Sequence, residues 1–259
     1  MISVTSAQLY AWLAAFVWPL ARILALVASA PISGNPSVPA NVKIGLGLFI
    51  TVLVAPLLPA APGSDPASAQ GLLILAQQIL IGTAMGLAMQ IIFHAAEMAG
   101  EFIGLQMGLG FATLYDASVP GMIPVIGQFL GVVVSLAFLA IDGHVLLLSA
   151  LVESFRVLPL APLSAPSGLR AMAEWGGSIF SYSLALALPL LAALLIANLA
   201  LGVLTRAAPQ LNIFAVGFPL TILIGILMLY LSLPYFAPGF ERMFTDGFSA
   251  MLRIAAALR

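Results

Sequence analysis

Cysteine is absent from this chain of 259 residues, and charged residues are scarce. Without cysteine the chain forms no disulfide, no thiolate metal site and no cysteine nucleophile. Charged residues make up 7% of the sequence and hydrophobic residues 63%, whereas ordinary soluble domains carry about 25% charged residues. So few charges cannot keep a protein surface hydrated. The composition therefore excludes a soluble globular protein and indicates a lipid bilayer as the environment.

Histidine is also scarce, with two in the chain, and the net charge is −1. Two histidines cannot build a multi-histidine metal site, and a chain without a basic excess offers no surface for nucleic acid. The sequence contains neither a phosphate-binding loop nor a nucleophile elbow. We therefore expect no catalytic residues, no metal, no cofactor and no nucleic acid partner.

Long hydrophobic segments, separated by Gly/Pro-rich or polar turns, dominate the sequence. A crossing helix needs about 20 predominantly apolar residues, so the pattern predicts an all-α membrane protein with about six long helices in hairpins. The segments run approximately over residues 9–30, 41–58, 70–107, 124–141, 179–204 and 213–233. A shorter helix is expected at 145–157, an amphipathic patch at 169–178 and an interfacial helix from Phe240 onward.

Arg22 lies inside the first hydrophobic segment. An isolated arginine in a membrane span is costly unless it is paired or its long side chain reaches the polar edge of the bilayer. The sequence leaves both readings open.

The third segment is too long for one straight crossing of a hydrocarbon core about 30 Å thick, so we expect it to tilt, kink or leave the bilayer. Gly100, Gly104 and Gly108 recur at every fourth position along it. Small residues at this spacing line one helix face and allow another helix to approach closely.

His94, Glu97 and Glu101 form the row beside these glycines, because residues three and four apart share a helix face. Ionisable groups in a membrane protein tend to face the interior of a bundle or a water-filled path. A proton relay or a divalent metal site is one interpretation. The interpretation that we favour is polar contact with neighbouring helices or with a wet lumen.

The stretch from Gly108 to Gly121 is too apolar for a solvated loop and too rich in glycine for a strong helix. Irregular backbone at membrane depth persists only when it is buried in protein or lines a cavity. The composition therefore predicts a re-entrant or pore-plugging loop, and a loop packed on its own bundle is the alternative. The candidate residues are Gly108, Gly110, Phe111, Ala112, Leu114, Tyr115, Asp116, Pro120 and Gly121.

A second polar stretch, Leu204–Leu220, joins the fifth and sixth segments by a short connection that contains Arg206, Gln210 and Asn212. The short connection makes the two segments an antiparallel pair. We expect the polar tip to hydrogen-bond broken backbone or a partner chain.

Four motifs resemble the FliR family, the export-apparatus membrane proteins of the bacterial flagellum, which are related to the SctT subunit of injectisomes. They are RAAPQLNIFAVGFPL (206–220), EFIGLQMGLGFA (101–112), FLAIDGH (138–144) and APISG…VP (30–39). One departure is Asp116-Ala117, where the family commonly has Asp-Pro.

The resemblance implies a subunit of the flagellar export gate in the bacterial inner membrane and flagellar basal body, partly raised toward the periplasm. It implies FliP-like and FliQ-like partners and an FlhB-like protein, with unfolded flagellar proteins as cargo. It also implies that the loop after Gly108 projects into the pore. A proton-coupled secondary transporter that uses His94, Glu97 and Glu101 is the alternative function.

The resemblance further implies a fused fold, with a FliP-like part at 1–170 and a FliQ-like hairpin with a C-terminal interfacial helix at 171–259. Motifs and resemblance together assign helix packing and assembly to a second set of residues. These are Glu97, Gly100, Glu101, Gly104, Arg206, Pro209, Gln210, Asn212, Phe214, Gly217 and Pro219.

Overall fold

The computed structural model of the protein describes residues 6–58, 68–110, 124–158, 167–208 and 217–258. Within these ranges 89% of the residues are helical and no strand occurs, which confirms the all-α class. The helices are α1 Ser6–Ser29, α2 Ala40–Val54, α3 Ala69–Gln106, α4 Val125–Ala140, α5 Gly143–Val157, α6 Ser167–Gly176, α7 Ser178–Ala207 and α8 Phe218–Ala257. A short 3-10 helix, Ala55–Leu57, follows α2.

Five helical stretches in the described ranges are long and apolar enough to cross a bilayer, and the bent pair of α4 and α5 makes a sixth if it counts as one span. This agrees with the six hydrophobic segments of the sequence. Helix α3 is continuous over 38 residues, which corresponds to about 57 Å. It exceeds the thickness of a hydrocarbon core, as its length in the sequence predicted.

The breaks between helices fall where proline and glycine predicted them. The chain leaves α1 through turns between Pro31 and Pro39, where Lys43 Nζ donates a hydrogen bond of 2.9 Å to the Gly34 carbonyl oxygen. Helices α4 and α5 are separated at Asp142, whose φ of 55° lies in the left-handed region. This is a conformation that aspartate adopts more readily than most residues.

The end of the chain differs from the prediction. The sixth segment was expected to end at Leu233, before Pro234, and to be followed by a separate interfacial helix. Instead α8 runs without interruption from Phe218 to Ala257, with Pro234 and Pro238 inside it. Buried side chains recur with helical spacing on both sides of the prolines, and burial of this continuous face offsets the lost backbone hydrogen bonds. They are Leu229, Phe236, Phe240, Met243, Phe244, Met251 and Ile254.

Residue contacts divide the chain into two compact units. The first contains Met1–Ile91, Asp142–Gly176 and Phe244–Arg259, and the second contains Ile92–Ile141 and Gly177–Met243. Helices α3 and α8 contribute to both units. The division near residue 170 that the resemblance implies concerns related sequence blocks rather than packed units, and it stays a prediction.

In the first unit, α1 packs directly on the backbone of α3. A methyl group added at Gly82 would overlap the carbonyl oxygen of Arg22, and one added at Gly86 would overlap the Ser29 hydroxyl. The Ser29 hydroxyl itself donates to the Ala25 carbonyl oxygen at 2.7 Å, so it is satisfied within α1. Two glycines four residues apart thus let two helices touch, which is the arrangement expected of small residues in membrane helices.

Candidate functional site

The candidate site lies in the second unit, where the second half of α3 meets the first turns of α4. Gly100 and Gly104 are buried. A methyl group added at Gly100 would lie 2.5 Å from the Ile126 carbonyl oxygen and 2.7 Å from Gly127 Cα. Only a residue without a side chain fits at Gly100, because the group that it faces is backbone rather than a movable side chain.

Helix α4 meets this face with two glycines of its own, Gly127 and Gly131. A methyl group at Gly127 would lie 3.0 Å from the carbonyl oxygen of Glu97 and 3.2 Å from Glu101 Cγ. At Gly131 it would lie 3.0 Å from Glu97 Oε1. Neither glycine was predicted from the sequence, although their four-residue spacing is the same signal that marked Gly100 and Gly104 on α3.

The polar row on α3 lies at the surface of this chain. His94 Nδ1 and Glu97 Oε2 are 2.8 Å apart, which is hydrogen-bonding distance, and both side chains are about half exposed. Glu101 and Leu105 are exposed. A carboxylate on the outside of so apolar a helix needs water or donors from another chain, since lipid supplies neither.

These groups do not assemble into a metal site in the part of the chain that the structure describes. No cluster there contains three or more histidine, cysteine, aspartate or glutamate side chains placed to hold an ion. Glu97 pairs with His94, while Glu101 lies beside Gly127 of α4 through its Cγ atom. The geometry suits packing and hydrogen bonding rather than metal-ligand chemistry.

Helix α3 ends at a glycine stop. Gly108 has a φ of 86°, its N–H donates to the Leu105 carbonyl oxygen at 3.0 Å, and the N–H of Leu109 donates to the Gly104 carbonyl oxygen at 3.1 Å. This pattern is a Schellman motif, in which a left-handed residue terminates the helix and satisfies its last carbonyls. Gly108 therefore does not extend the packing face of Gly100 and Gly104, as the spacing had predicted, because it has left the helix.

Side chains from α7 and α8 contact the end of α3. Asn198 Nδ2 donates to the Gln106 carbonyl oxygen at 3.3 Å, and Thr221 Oγ1 donates to the Met107 carbonyl oxygen at 3.2 Å. The Met107 side chain is fully buried, and a methyl group added at Gly225 would lie 2.5 Å from its Cγ. Sequence reasoning missed Asn198, Thr221 and Gly225, because no local pattern links them to α3.

The other predicted site residues are only partly within the described ranges. Of the loop residues, Gly108 and Gly110 are described and both are partly exposed. The remaining seven, Phe111, Ala112, Leu114, Tyr115, Asp116, Pro120 and Gly121, lie outside.

In the second stretch, Arg206 is exposed in the last turn of α7. Gly217 is buried, and Pro219 is exposed in the first turn of α8, where proline is tolerated. Pro209, Gln210, Asn212 and Phe214 lie outside the described ranges.

Arg22 forms a separate polar centre in the first unit, and its side chain is fully buried. Its Nε donates to Gln78 Oε1 at 2.8 Å, Nη1 to Ser154 Oγ at 3.1 Å and Nη2 to the Leu158 carbonyl oxygen at 3.0 Å. The guanidinium carbon lies 4.1 Å from the centre of the Phe155 ring. The structure thus favours one of the two interpretations of the sequence, since the Arg22 guanidinium is buried and hydrogen-bonded inside the protein.

The sequence of this chain is similar to those of known bacterial export proteins. The sequence matches the family described as bacterial export proteins, family 1, over residues 13–247. It is 45% identical over 261 residues to the flagellar biosynthetic protein FliR of Pectobacterium carotovorum subsp. carotovorum and to that of Escherichia coli (strain K12), covering 100% of this chain and 99% of each relative. The FliR protein of Bacillus subtilis (strain 168) is 30% identical over 227 residues, which is 83% of this chain and 84% of that protein.

Proposed function

Because this chain belongs to the bacterial export proteins, family 1, we propose that it helps to form and seal the pore through which unfolded flagellar proteins leave the cell. It is a multi-pass membrane protein and a subunit of the flagellar protein export apparatus. The observation that carries the proposal is full-length identity of 45% with FliR proteins. We propose that this chain acts as a structural subunit, without catalysis.

The proposed location is the bacterial inner membrane, within the flagellar basal body and partly raised toward the periplasm. The proposed partners are FliP-like and FliQ-like subunits and an FlhB-like protein. Large apolar side chains cover the outside of α7 and α8 in this chain, among them Val203, Tyr230 and Tyr235. Such surfaces require lipid or further protein to cover them.

We propose that the assembly contacts include the polar row of α3. Glu97 and Glu101 lie on the exposed side of a helix whose other faces are apolar. In contact with a partner helix, these carboxylates would accept hydrogen bonds from basic or amide side chains. Arg206, Gln210 and Asn212 are proposed to serve the same purpose at the tip between α7 and α8. The 1–170 and 171–259 parts are proposed to take FliP-like and FliQ-like positions in the assembly.

Purification separates the gate subunit from the transporter alternative. We expect the chain to be unstable when it is expressed alone and to be stabilised by co-expression with FliP-like and FliQ-like chains. A monomer that remains stable in detergent and moves a small solute into liposomes would show the transporter reading to be correct. The comparisons do not favour that reading.

The gating role is proposed for the loop from Gly108 to Gly121, and a deletion within Gly110–Ser118 tests it. We expect the assembled complex that carries the deletion to conduct ions, while the unaltered complex stays closed. Yield and subunit ratio of the two complexes should be equal, so that a leak cannot be attributed to partial assembly. Equal conductance in both complexes would exclude the loop as the seal.

A further inference from the structure

We propose that Asn198, Thr221 and Gly225 are positioning residues that fix the C-terminal end of α3 and, with it, the start of the gating loop. This inference rests on the proposed function, since it concerns how the seal is held. It goes beyond that function because it assigns the fixing to α7 and α8, which lie far from α3 in sequence.

The first step concerns the hydrogen-bond donors of the carbonyl groups at the end of α3. The last carbonyls of a helix have no partner within the helix and must find one elsewhere. Ile103, Gly104 and Leu105 receive N–H donors from residues 107, 109 and 108 of the chain itself. The next two carbonyls, of Gln106 and Met107, receive the side chains of Asn198 and Thr221. The last two carbonyl oxygens at the end of α3 therefore accept hydrogen bonds from side chains of α7 and α8.

The second step concerns the space beside Gly225 that the Met107 side chain occupies. This side chain is fully buried, and Gly225 leaves the space that its Cγ, Sδ and Cε occupy, since a methyl group there would lie 2.5–2.7 Å from all three atoms. A polar contact and a steric contact thus hold the same residue from α8. Together they set the direction in which the chain leaves α3 at the Gly108 stop.

The third step concerns the Thr221 hydroxyl. Thr221 Oγ1 lies 3.2 Å from the Met107 carbonyl oxygen and 2.9 Å from the Phe218 carbonyl oxygen of its own helix. Its one proton serves both acceptors, so a substitution that removes the hydroxyl removes the donor that α8 offers to the Met107 carbonyl. A buried carbonyl that loses its donor costs free energy, so this contact favours the observed position of the end of α3.

The test uses the assembled complex with three variants of this chain. Thr221→Val keeps the shape and removes the donor, Asn198→Leu does the same for the amide, and Gly225→Ala fills the seat of Met107. Two substitutions outside this contact serve as controls. Ser249→Ala removes a hydroxyl of α8 that donates to the Asp246 carbonyl oxygen of its own helix, and Gly202→Ala on α7 adds a methyl group with open space around it.

Two readouts are measured for each variant. One is the ion conductance of the closed complex. The other is the motion of a spin label on Gly110→Cys, which is the only thiol in an otherwise cysteine-free chain. We expect the label to become more mobile and the leak to rise about fivefold for each lost hydrogen bond, the ratio that a typical bond contributes. The control variants should match the unaltered complex in both readouts.

The rescue variant addresses Gly225 specifically. Gly225→Ala combined with Met107→Ala removes the side chain that the new methyl group would overlap, and we expect it to leak less than Gly225→Ala alone. Thermal stability of every complex is recorded beside the conductance, so that a general loss of folding is recognised.

The outcomes distinguish this inference from the proposed function. If the loop deletion leaks while Thr221→Val and Asn198→Leu stay closed with an immobile label, the positioning inference is overturned and the gate stands. If the loop deletion itself stays closed, the proposed gate fails and the inference fails with it. Increased conductance and a mobile label in the three variants, with both readouts unchanged in the controls, would support the positioning inference and the proposed gate.

Discussion

Arg22 Nε donates a hydrogen bond of 2.8 Å to Gln78 Oε1 across the buried interface of α1 and α3. In the described ranges, no carboxylate pairs with this guanidinium; its partners are an amide, a hydroxyl, a carbonyl and an aromatic ring. One planar cation thereby connects α1, α3 and α5 within the first unit. Within the described ranges the Nε2 atom of Gln78 has no hydrogen-bond partner, so the contact with Arg22 is the one that orients this amide there.

Arg22→Lys is expected to destabilise the complex by about 2 kcal/mol, because an ammonium group cannot reach three acceptors that are arranged around a planar fork. Arg22→Met should be at least as harmful, since it leaves the Gln78 amide buried without a partner. The double variant Arg22→Met, Gln78→Leu replaces both groups with apolar ones and should recover part of the loss. Thermal unfolding of the purified complex measures all three. Additive effects in the double variant would contradict a coupled pair.

Gly100→Ala is expected to lower stability by about 1–3 kcal/mol, the usual cost of overpacking a tight contact. The added methyl group meets the backbone of Ile126 and Gly127, which cannot rotate away. Gly45→Ala is the matched control, because that helical glycine has nothing within 4 Å of the added group and alanine favours the helix. Thermal unfolding should separate the two substitutions, and equal midpoints would mean that α3 and α4 do not meet at Gly100.

Asp142→Val is expected to destabilise the protein by about 1–2 kcal/mol, since a β-branched residue is strained at the φ of 55° that separates α4 from α5. Asp142→Gly and Asp142→Asn should be nearly neutral, because both tolerate the left-handed region. The aspartate side chain makes no capping hydrogen bond to α5, so its charge should not matter. Equal losses in all three variants would show that the carboxylate, rather than the backbone conformation, is required.

Glu101→Lys is expected to reduce recovery of the complex with FliP-like and FliQ-like subunits by at least about tenfold, if the carboxylate meets a basic partner group. Glu174→Lys serves as the control, because Glu174 is an exposed carboxylate in a surface pair with Arg170 at 2.8 Å, and such pairs contribute little. Subunit ratios after affinity purification give the result. Normal recovery with changed ion selectivity would place Glu101 on the aqueous pore instead.

Local signals predicted most of the helices. Prolines between Pro31 and Pro39 broke the chain where expected, and the length of the apolar run fixed α3. The prediction that the last hydrophobic helix ends before Pro234 was wrong. Proline often ends a helix, but here a buried face with helical spacing continues past it in α8. That spacing was present in the sequence and would have corrected the reading.

The candidate site was less predictable, because its decisive contacts are long-range. The glycine spacing at Gly100 predicted that another helix approaches closely there. No local pattern in the sequence indicated that Gly127 is the residue that it contacts. Asn198 and Thr221 lie 92 and 114 residues from their acceptors. Polar residues inside apolar helices signal that a partner exists, yet only the fold reveals which carbonyl it is.

The short length of α4 has a consequence for biogenesis. Its 16 residues extend about 24 Å, less than the hydrocarbon core of about 30 Å. A helix of this length leaves a mismatch of about 6 Å, which a bilayer accommodates at a cost of fractions of a kcal/mol per Å. Helix α3 is synthesised earlier and already presents the glycine surface on which Gly127 and Gly131 pack. The order of synthesis thus gives α4 a protein surface on which to pack as soon as it leaves the ribosome, because the helix that it contacts precedes it in the chain.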